Sequence, residues 1–556
     1  MQKIYYGLII IFFYTSCKAQ PTQNDVVFLH ADTLRGSITP ERAWWNVIKY
    51  DLHITPNIQQ HTIKGFNSIT FLVTGSNTTM QIDLQQPLIV DSIIYEHQQL
   101  KYKREGNVCW VYTPMWPIRD AQIKQITIYY HGKPEEAIRP PWDNGMVWKN
   151  DKNNNPWFSV VCQGLGASTW WPCKDHQSDE PDSMAIHITV PNHLVDVSNG
   201  RLQVVQNNHN GTKTWSWVVH NPINNYNATM NVGKYTHWHD FYNGEKGKLD
   251  LDFYVLDYNV DKAKNQFAQA KKMLACFEYW FGPYPFYEDG YKLVETSYLG
   301  MEHQSAISYG NQFVNGYLGH DLSNTGYGYG WDYIIIHESA HEWFGNNITT
   351  KDIADMWVHE SFATYSEVLY VEYLYGKKAA DAYLQGLRDD IDNDKPIIAH
   401  YNVNEKGSDD MYKKGANVMH MIRTIVHNDS LFRSVLKSLN KAFYHQTVTT
   451  KQIENYINHK TGYNFTPLFD QYLRTTQIPI LEYEYVYTPS GKKIRYHWVN
   501  CIKNFNMKIG GYWDGVHYTF YNVTTNWKEI DIENMKINVA NAYDQNFYIY
   551  CQQKNT

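Results

Sequence analysis

The sequence predicts an α+β protein of several domains, β-rich at its N-terminal end, mostly helical in the middle and β-rich again at the tail. Length is the first reason: 556 residues exceed what one ordinary core serves, and roughly two to four domains are expected. Periodicity is the second. Residues from about 40 to 240 alternate with period two, Trp331 to about Arg474 carries apolar residues at helical spacing, and alternation resumes after Ile478. Composition is the third: an apolar fraction of 43% and an aromatic fraction of 15% fit a folded chain, and the 45 tyrosines and 19 tryptophans fit β layers and an aromatic-lined cleft.

The chain opens on a targeting signal at residues 1–19. Lys3 starts it, "LIIIFF" (Leu8 to Phe13) is an apolar run too short to span a bilayer, and "YTSCKAQ" follows. Cys17, after the small Thr15 and Ser16, resembles the acylated cysteine of a bacterial lipoprotein; ordinary cleavage after Ala19 is the rival reading. Either route exports the protein, to the periplasm, the outer membrane or the cell surface, with membrane contact only through a lipid on Cys17. A net charge of −7 is mild for this length and gives no reason to expect nucleic acid. The other cysteines (Cys109, Cys162, Cys173, Cys276, Cys501, Cys551) show no CxxC spacing, which argues against a zinc ribbon and leaves pairing and oligomeric state open.

Three domains follow the leader, at 25–243, 244–476 and 477–556. In the first, "TIKGFNSITFLV", "QITIYYHG", "SMAIHITVP" and "TWSWVVH" are strands broken by turns such as "NHNG", and two layered sheets are expected. "DKAKNQFAQAKKMLACFEYWFG" then predicts one long amphipathic helix stopping at Gly282 and Pro283. "MYKKGANVMHMIRTIV", "LFRSVLKSLNKAF", "TKQIENYINHKTG" and "PLFDQYLRT" are further helices. The tail ("LEYEYVY", "KIRYHWV", "YTFYNV", "INVANAY", "FYIYC") predicts the strands of a small β-sandwich. Gly326, Gly328 and Gly330 lack the strand and spacing of a nucleotide loop and serve as a lead-in to the next helix.

That helix carries the chemistry. Residues 331–345 contain no proline and only a terminal glycine, so one helix is predicted, with His337 and His341 four apart on one face. Two imidazoles one turn apart can bind a single Zn²⁺ at about 2.0–2.1 Å. Glu338, rotated about 100° from His337, faces the site without being a ligand, where a general base belongs. A catalytic zinc takes three protein ligands and one open position. "DMWVHESFATYSEVLY" starts a second helix whose Glu360 lies nineteen residues after His341, and an antiparallel return brings it beside the histidines; His359 competes for the same role.

"HESAHEWFGNNITTKDIADMWVHESFATY" resembles the zinc signature of the aminopeptidase N and leukotriene-A hydrolase family of gluzincins. Trp343, Phe344, Gly345, Asn346, Trp357, Glu360, Phe362 and Ala363 match, and His359 and Ser361 stand where the family has Asn and Gly. The resemblance implies one Zn²⁺ held by His337, His341 and Glu360, with Glu338 as base. "SYLGMEHQSAISYG" is similar to the family's G-x-M-E-N block, which implies that Glu302, beside Gly300 and Met301, grips a substrate's free α-amino group; Leu299 and His303 depart from the block. "MYKKGANVMHMI" is similar to the block whose tyrosine, here Tyr412, hydrogen-bonds the tetrahedral oxyanion. "SVVCQGLGASTWWPCKD" puts Gln163 where the family binds the substrate amine.

The resemblance covers most of residues 45–490. It implies an N-terminal β-saddle, a thermolysin-like catalytic domain and a small β-sandwich, a short form without the family's large helical domain and so with a more open cleft. The implied activity is that of a zinc aminopeptidase acting on peptides with a free N-terminus. A zinc endopeptidase or epoxide hydrolase on the same scaffold, and a surface binding protein that has lost turnover, are the alternatives. His303, His359 and His420 are expected to be structural.

Overall fold

The computed structural model describes residues 27–116, 122–489, 491–514, 516–532 and 538–554; the leader, with Cys17, lies outside them. Alternation builds the first domain. Strand β1 (Trp45–Asn57) turns Val47, Tyr50, Leu52 and Ile54 inward, and β2 (Thr62–Val73) turns Ile63, Ile69, Phe71 and Val73 the same way. β1 pairs antiparallel with β2 and parallel with β3 (Ser183–Pro191), which pairs in turn with β4 (Thr212–Val219). These four lie inside an eight-stranded sheet. Instead of two layers, the domain closes its tryptophan-rich core with two further sheets, of four and three strands. The added strands are short, such as Val195–Val197 and Thr79–Asp83.

The central unit begins with a hairpin, β5 (Tyr235–Gly244) and β6 (Gly247–Leu256). β6 pairs in parallel with Tyr291–Glu295, so the hairpin belongs to the central unit's five-stranded sheet and residue 244 lies at its turn. Gly300–Met301 forms the far edge of that sheet. The single helix expected over 261–282 is two, α1 (Val260–Phe267) and α2 (Gln269–Phe281), joined at Ala268; α2 stops at Gly282, whose φ of 93° a side chain rarely adopts.

Helices α3 (Tyr333–Ala340), α4 (Trp357–Tyr375) and α5 (Lys413–Val426) surround the functional residues, with Asp429–Ala442, Thr450–Thr461 and Thr466–Arg474 behind them. Fifteen residues of α4 are buried, so it runs through the interior rather than along a surface. α5 crosses α4 closely at Gly415, where a Cβ would stand 1.8 Å from Ser361 Oγ. The tail supplies a four-stranded sheet and a separate hairpin that share the helices' core through Leu481, Trp498 and Ile509. Of its expected strands, "INVANAY" instead contains a one-turn helix, Val539–Ala542, because the Asn538 side chain accepts from Ala540 N. Among the described residues no helix is long and apolar enough to cross a membrane.

Candidate metal centre and adjoining cleft

Asp332 starts α3. Its side chain accepts from Ile334 N at 3.0 Å and Ile335 N at 3.2 Å, and also receives Tyr309 Oη at 2.7 Å and Gln266 Nε2 at 2.6 Å. The cap therefore fixes where the helix begins and anchors it to the neighbouring sheet. The predicted helix over 331–345 ends early, at Ala340. His341 keeps helical backbone angles as the C-cap, and the chain then turns through Gly345 at φ 128°. The turn has a use: His341 Nδ1–H donates to the Phe344 carbonyl at 3.0 Å, a bond that a continued helix would deny it.

His337 Nε2 and His341 Nε2 lie 3.4 Å apart. α4 brings Glu360 Oε2 to 3.5 Å from the first and 3.4 Å from the second. All three side chains are buried, and Glu360 Oε2 has no hydrogen-bond partner. A buried carboxylate oxygen without a donor is costly, and one divalent cation between it and two imidazole lone pairs removes that cost. Both Nδ1 atoms are occupied elsewhere, which turns both Nε2 atoms to the centre. His337 Nδ1–H donates to Glu367 Oε1 at 2.7 Å, and Glu367 Oε2 accepts from Tyr383 Oη at 2.8 Å. The donor set thus fits a metal such as zinc, with its orienting contacts in place. His359, the competing third ligand, faces away: its Nε2 accepts from Thr350 N at 3.0 Å.

Glu338 is buried beside this centre. Burial pushes its carboxyl up to about 7, against the opposing pull of the His337 and His341 imidazoles. Ligand atoms of Glu338, Glu302 and His341 lie within 4.8 Å of one another. Glu302 Oε1 accepts from Gln163 Nε2 at 2.5 Å and from Tyr226 Oη at 3.1 Å, so the N-terminal domain and the central unit share one buried carboxylate. Gly300 leaves room for Glu338: a Cβ there would stand 2.8 Å from Glu338 Oε1 and 2.9 Å from Ile334 Cγ2. Tyr412 stacks on His337 with ring centroids 6.0 Å apart. Burial raises its phenol well above the usual value and keeps it a neutral donor. Ser361 steadies that tyrosine by donating to the neighbouring Met411 carbonyl at 2.6 Å.

A cleft of about 510 Å³ joins these groups, and Gln163, Gly300, Met301, Glu302, His337, Glu338, His341, Glu360 and Tyr412 all line it. Three supporting residues escaped sequence reasoning, Glu367, Tyr226 and Glu342, and a fourth, Asn346, was read there only as a match to the family signature. Glu342 accepts from Tyr284 Oη, Ser305 N and Asn346 Nδ2. Asn346 Nδ2 also donates to the Glu302 carbonyl at 2.9 Å, while its Oδ1 accepts from Asn227 of the N-terminal domain. Of the three that escaped, Glu367 left a trace in sequence, as a carboxylate two helical turns after Glu360 and therefore on the same face. His303 and His420 bond to Ser308 and Tyr365 and take no part in the centre.

Residues 265–472 match the model of the Peptidase family M1 domain. Probable aminopeptidase 2 of Sulfurisphaera tokodaii is 21% identical over 455 residues, covering 78% of this chain and 54% of its own length. Leucyl aminopeptidase of Saccharolobus solfataricus is 23% identical over 383 residues, covering 65% and 47%. The chain thus spans about half the length of these curated relatives. Among solved structures, a mutant M1 zinc metallopeptidase from Deinococcus radiodurans bound to a Tyr-Ser-Ala substrate shares the fold, with a TM-score of 0.66, 21% identity, and coverage of 79% of this chain and 97% of its own.

Proposed function

We propose, on the premise that this chain belongs to the M1 peptidase family, that it is a zinc-dependent aminopeptidase releasing N-terminal residues from peptides. His337, His341 and Glu360 would hold the zinc, which when bound supplies a Lewis acid beside the scissile carbonyl. Glu338, buried beside the centre, takes a proton from the attacking water and passes it to the leaving amine. Tyr412 donates to the carbonyl oxygen as negative charge develops on it. Glu302, backed by Gln163 and Tyr226, receives the substrate's ammonium, and Gly300 and Met301 offer an edge strand along which a peptide can lie.

The observation that carries this reading is the placement of Glu302. A buried carboxylate whose ligand atom lies within 4.8 Å of those of Glu338 and His341 leaves room for about one residue between the amine seat and the reacting bond. That spacing favours an exopeptidase over an endopeptidase. The leader at residues 1–19 supports export, with a lipid on Cys17. The test compares a peptide with its N-acetylated form, and wild type with Glu338→Gln. Cleavage of the free peptide only, lost in the variant while zinc stays bound, is expected; equal cleavage of both peptides would overturn the aminopeptidase reading.

A further inference from the structure

Away from the cleft, three metal-ligating side chains meet on the solvent face of the eight-stranded sheet. Asp51 and His53 are two apart on β1 and so project from one face. β3 runs parallel to β1 with His187 directly opposite His53. Asp51 Oδ1 lies 2.9 Å from His53 Nε2 and 3.3 Å from His187 Nε2. At the buried centre the corresponding separations are 3.5 and 3.4 Å, so the His187 spacing is comparable and the His53 pair is closer, at hydrogen-bond distance.

We propose that Asp51, His53 and His187 form a second metal site, for a divalent transition-metal ion of the zinc type, separate from the buried centre. Both imidazoles are held in place for it. His53 is sandwiched between His187, at 4.1 Å and 16°, and Phe66, at 4.3 Å and 17°. His187 Nδ1 lies 2.8 Å from Ser216 Oγ on β4. When that hydroxyl accepts from Nδ1–H, the His187 Nε2 lone pair faces the carboxylate and a cation fits between them; when it donates to Nδ1 instead, Nε2–H donates to Asp51 and a metal ion takes that proton's place. Protonating both rings instead sets two positive charges face to face at 4.1 Å. A single metal ion meets both lone pairs and the carboxylate at once.

Two imidazoles and a carboxylate suit zinc, copper or nickel rather than calcium or magnesium. The side chains are 37%, 22% and 35% exposed for His53, His187 and Asp51, so water can complete the coordination. An ion here would tie β1 to β3, the parallel pair of the sheet, through side chains as well as backbone.

The test counts zinc in the full-length chain by elemental analysis after equilibration with micromolar Zn²⁺. Wild type is expected to hold one equivalent more than His187→Ala and one more than Asp51→Asn. The reading is that difference, so it does not depend on occupancy of the buried centre or on the proposed activity. Hydrolysis of aminoacyl substrates should be the same in all three proteins. Equal zinc content in wild type and both variants overturns the proposal. Where the alanine variant fails to fold, His187→Gln, with a side chain of similar reach beside Ser216, is scored the same way.

Discussion

Removing the Glu367 carboxylate should weaken metal binding without touching a ligand. Glu367 accepts from His337 Nδ1–H at 2.7 Å and from Tyr383 Oη at 2.8 Å, and it is buried at the floor of the cleft. In Glu367→Ala the imidazole N–H loses its charged acceptor and keeps only the Tyr333 hydroxyl at 3.4 Å, a loss of about 1–3 kcal/mol for a buried donor. The ring is then free to tilt away from the centre. At about 1.4 kcal/mol per tenfold, zinc affinity should fall roughly 10- to 100-fold. Glu367→Gln keeps an acceptor oxygen but no charge and should fall between wild type and alanine. Competition against a chelator of known affinity reads the effect directly, and a His187→Ala background confines the signal to the buried centre. An alanine variant within about twofold of its parent would refute the idea that this carboxylate orients His337.

Other perturbations separate the parts of the site. Tyr412→Phe should lower kcat by about 10²–10³-fold while zinc content is unchanged, the loss typical of one oxyanion donor; steady-state kinetics on a chromogenic aminoacyl substrate decides it. Gly300→Ala should displace Glu338, because the added Cβ would sit 2.8 Å from its Oε1, and turnover should fall with little loss of metal. Asp332→Ala removes the α3 cap and leaves buried donors unmet, so it should lower stability by about 2 kcal/mol or more, seen as an earlier thermal unfolding transition.

Much of this centre was legible because it is local. His337 and His341 depend only on helix pitch, and Glu360 only on a second helix returning alongside the first. The end of α3 was not legible: nothing in "HEWF" interrupts a helical pattern before Gly345, and the stop at Ala340 reflects the burial of Trp343 and Phe344 and the bond from His341 to the Phe344 carbonyl. Tyr226 was invisible for a related reason. It lies 76 residues from Glu302, and only the docking of two domains makes them neighbours. The three-sheet core of the first domain escaped as well, since alternation reports which face is buried but not which sheet a short strand joins.

Ownership of the amine seat is divided. Glu302 belongs to the central unit, but Gln163 and Tyr226, which hold its Oε1, belong to the β domain, and the Asn227–Asn346 bond clamps the two together nearby. A fragment holding only residues 265–472 would retain His337, His341, Glu360, Glu338 and Tyr412 but neither of those two partners. The power to break a bond and the choice of which bond to break are therefore inherited from different parts of the chain. Substitutions in the β domain can retune selectivity while the hydrolytic apparatus stays intact, which makes that domain the place to engineer a changed cutting rule.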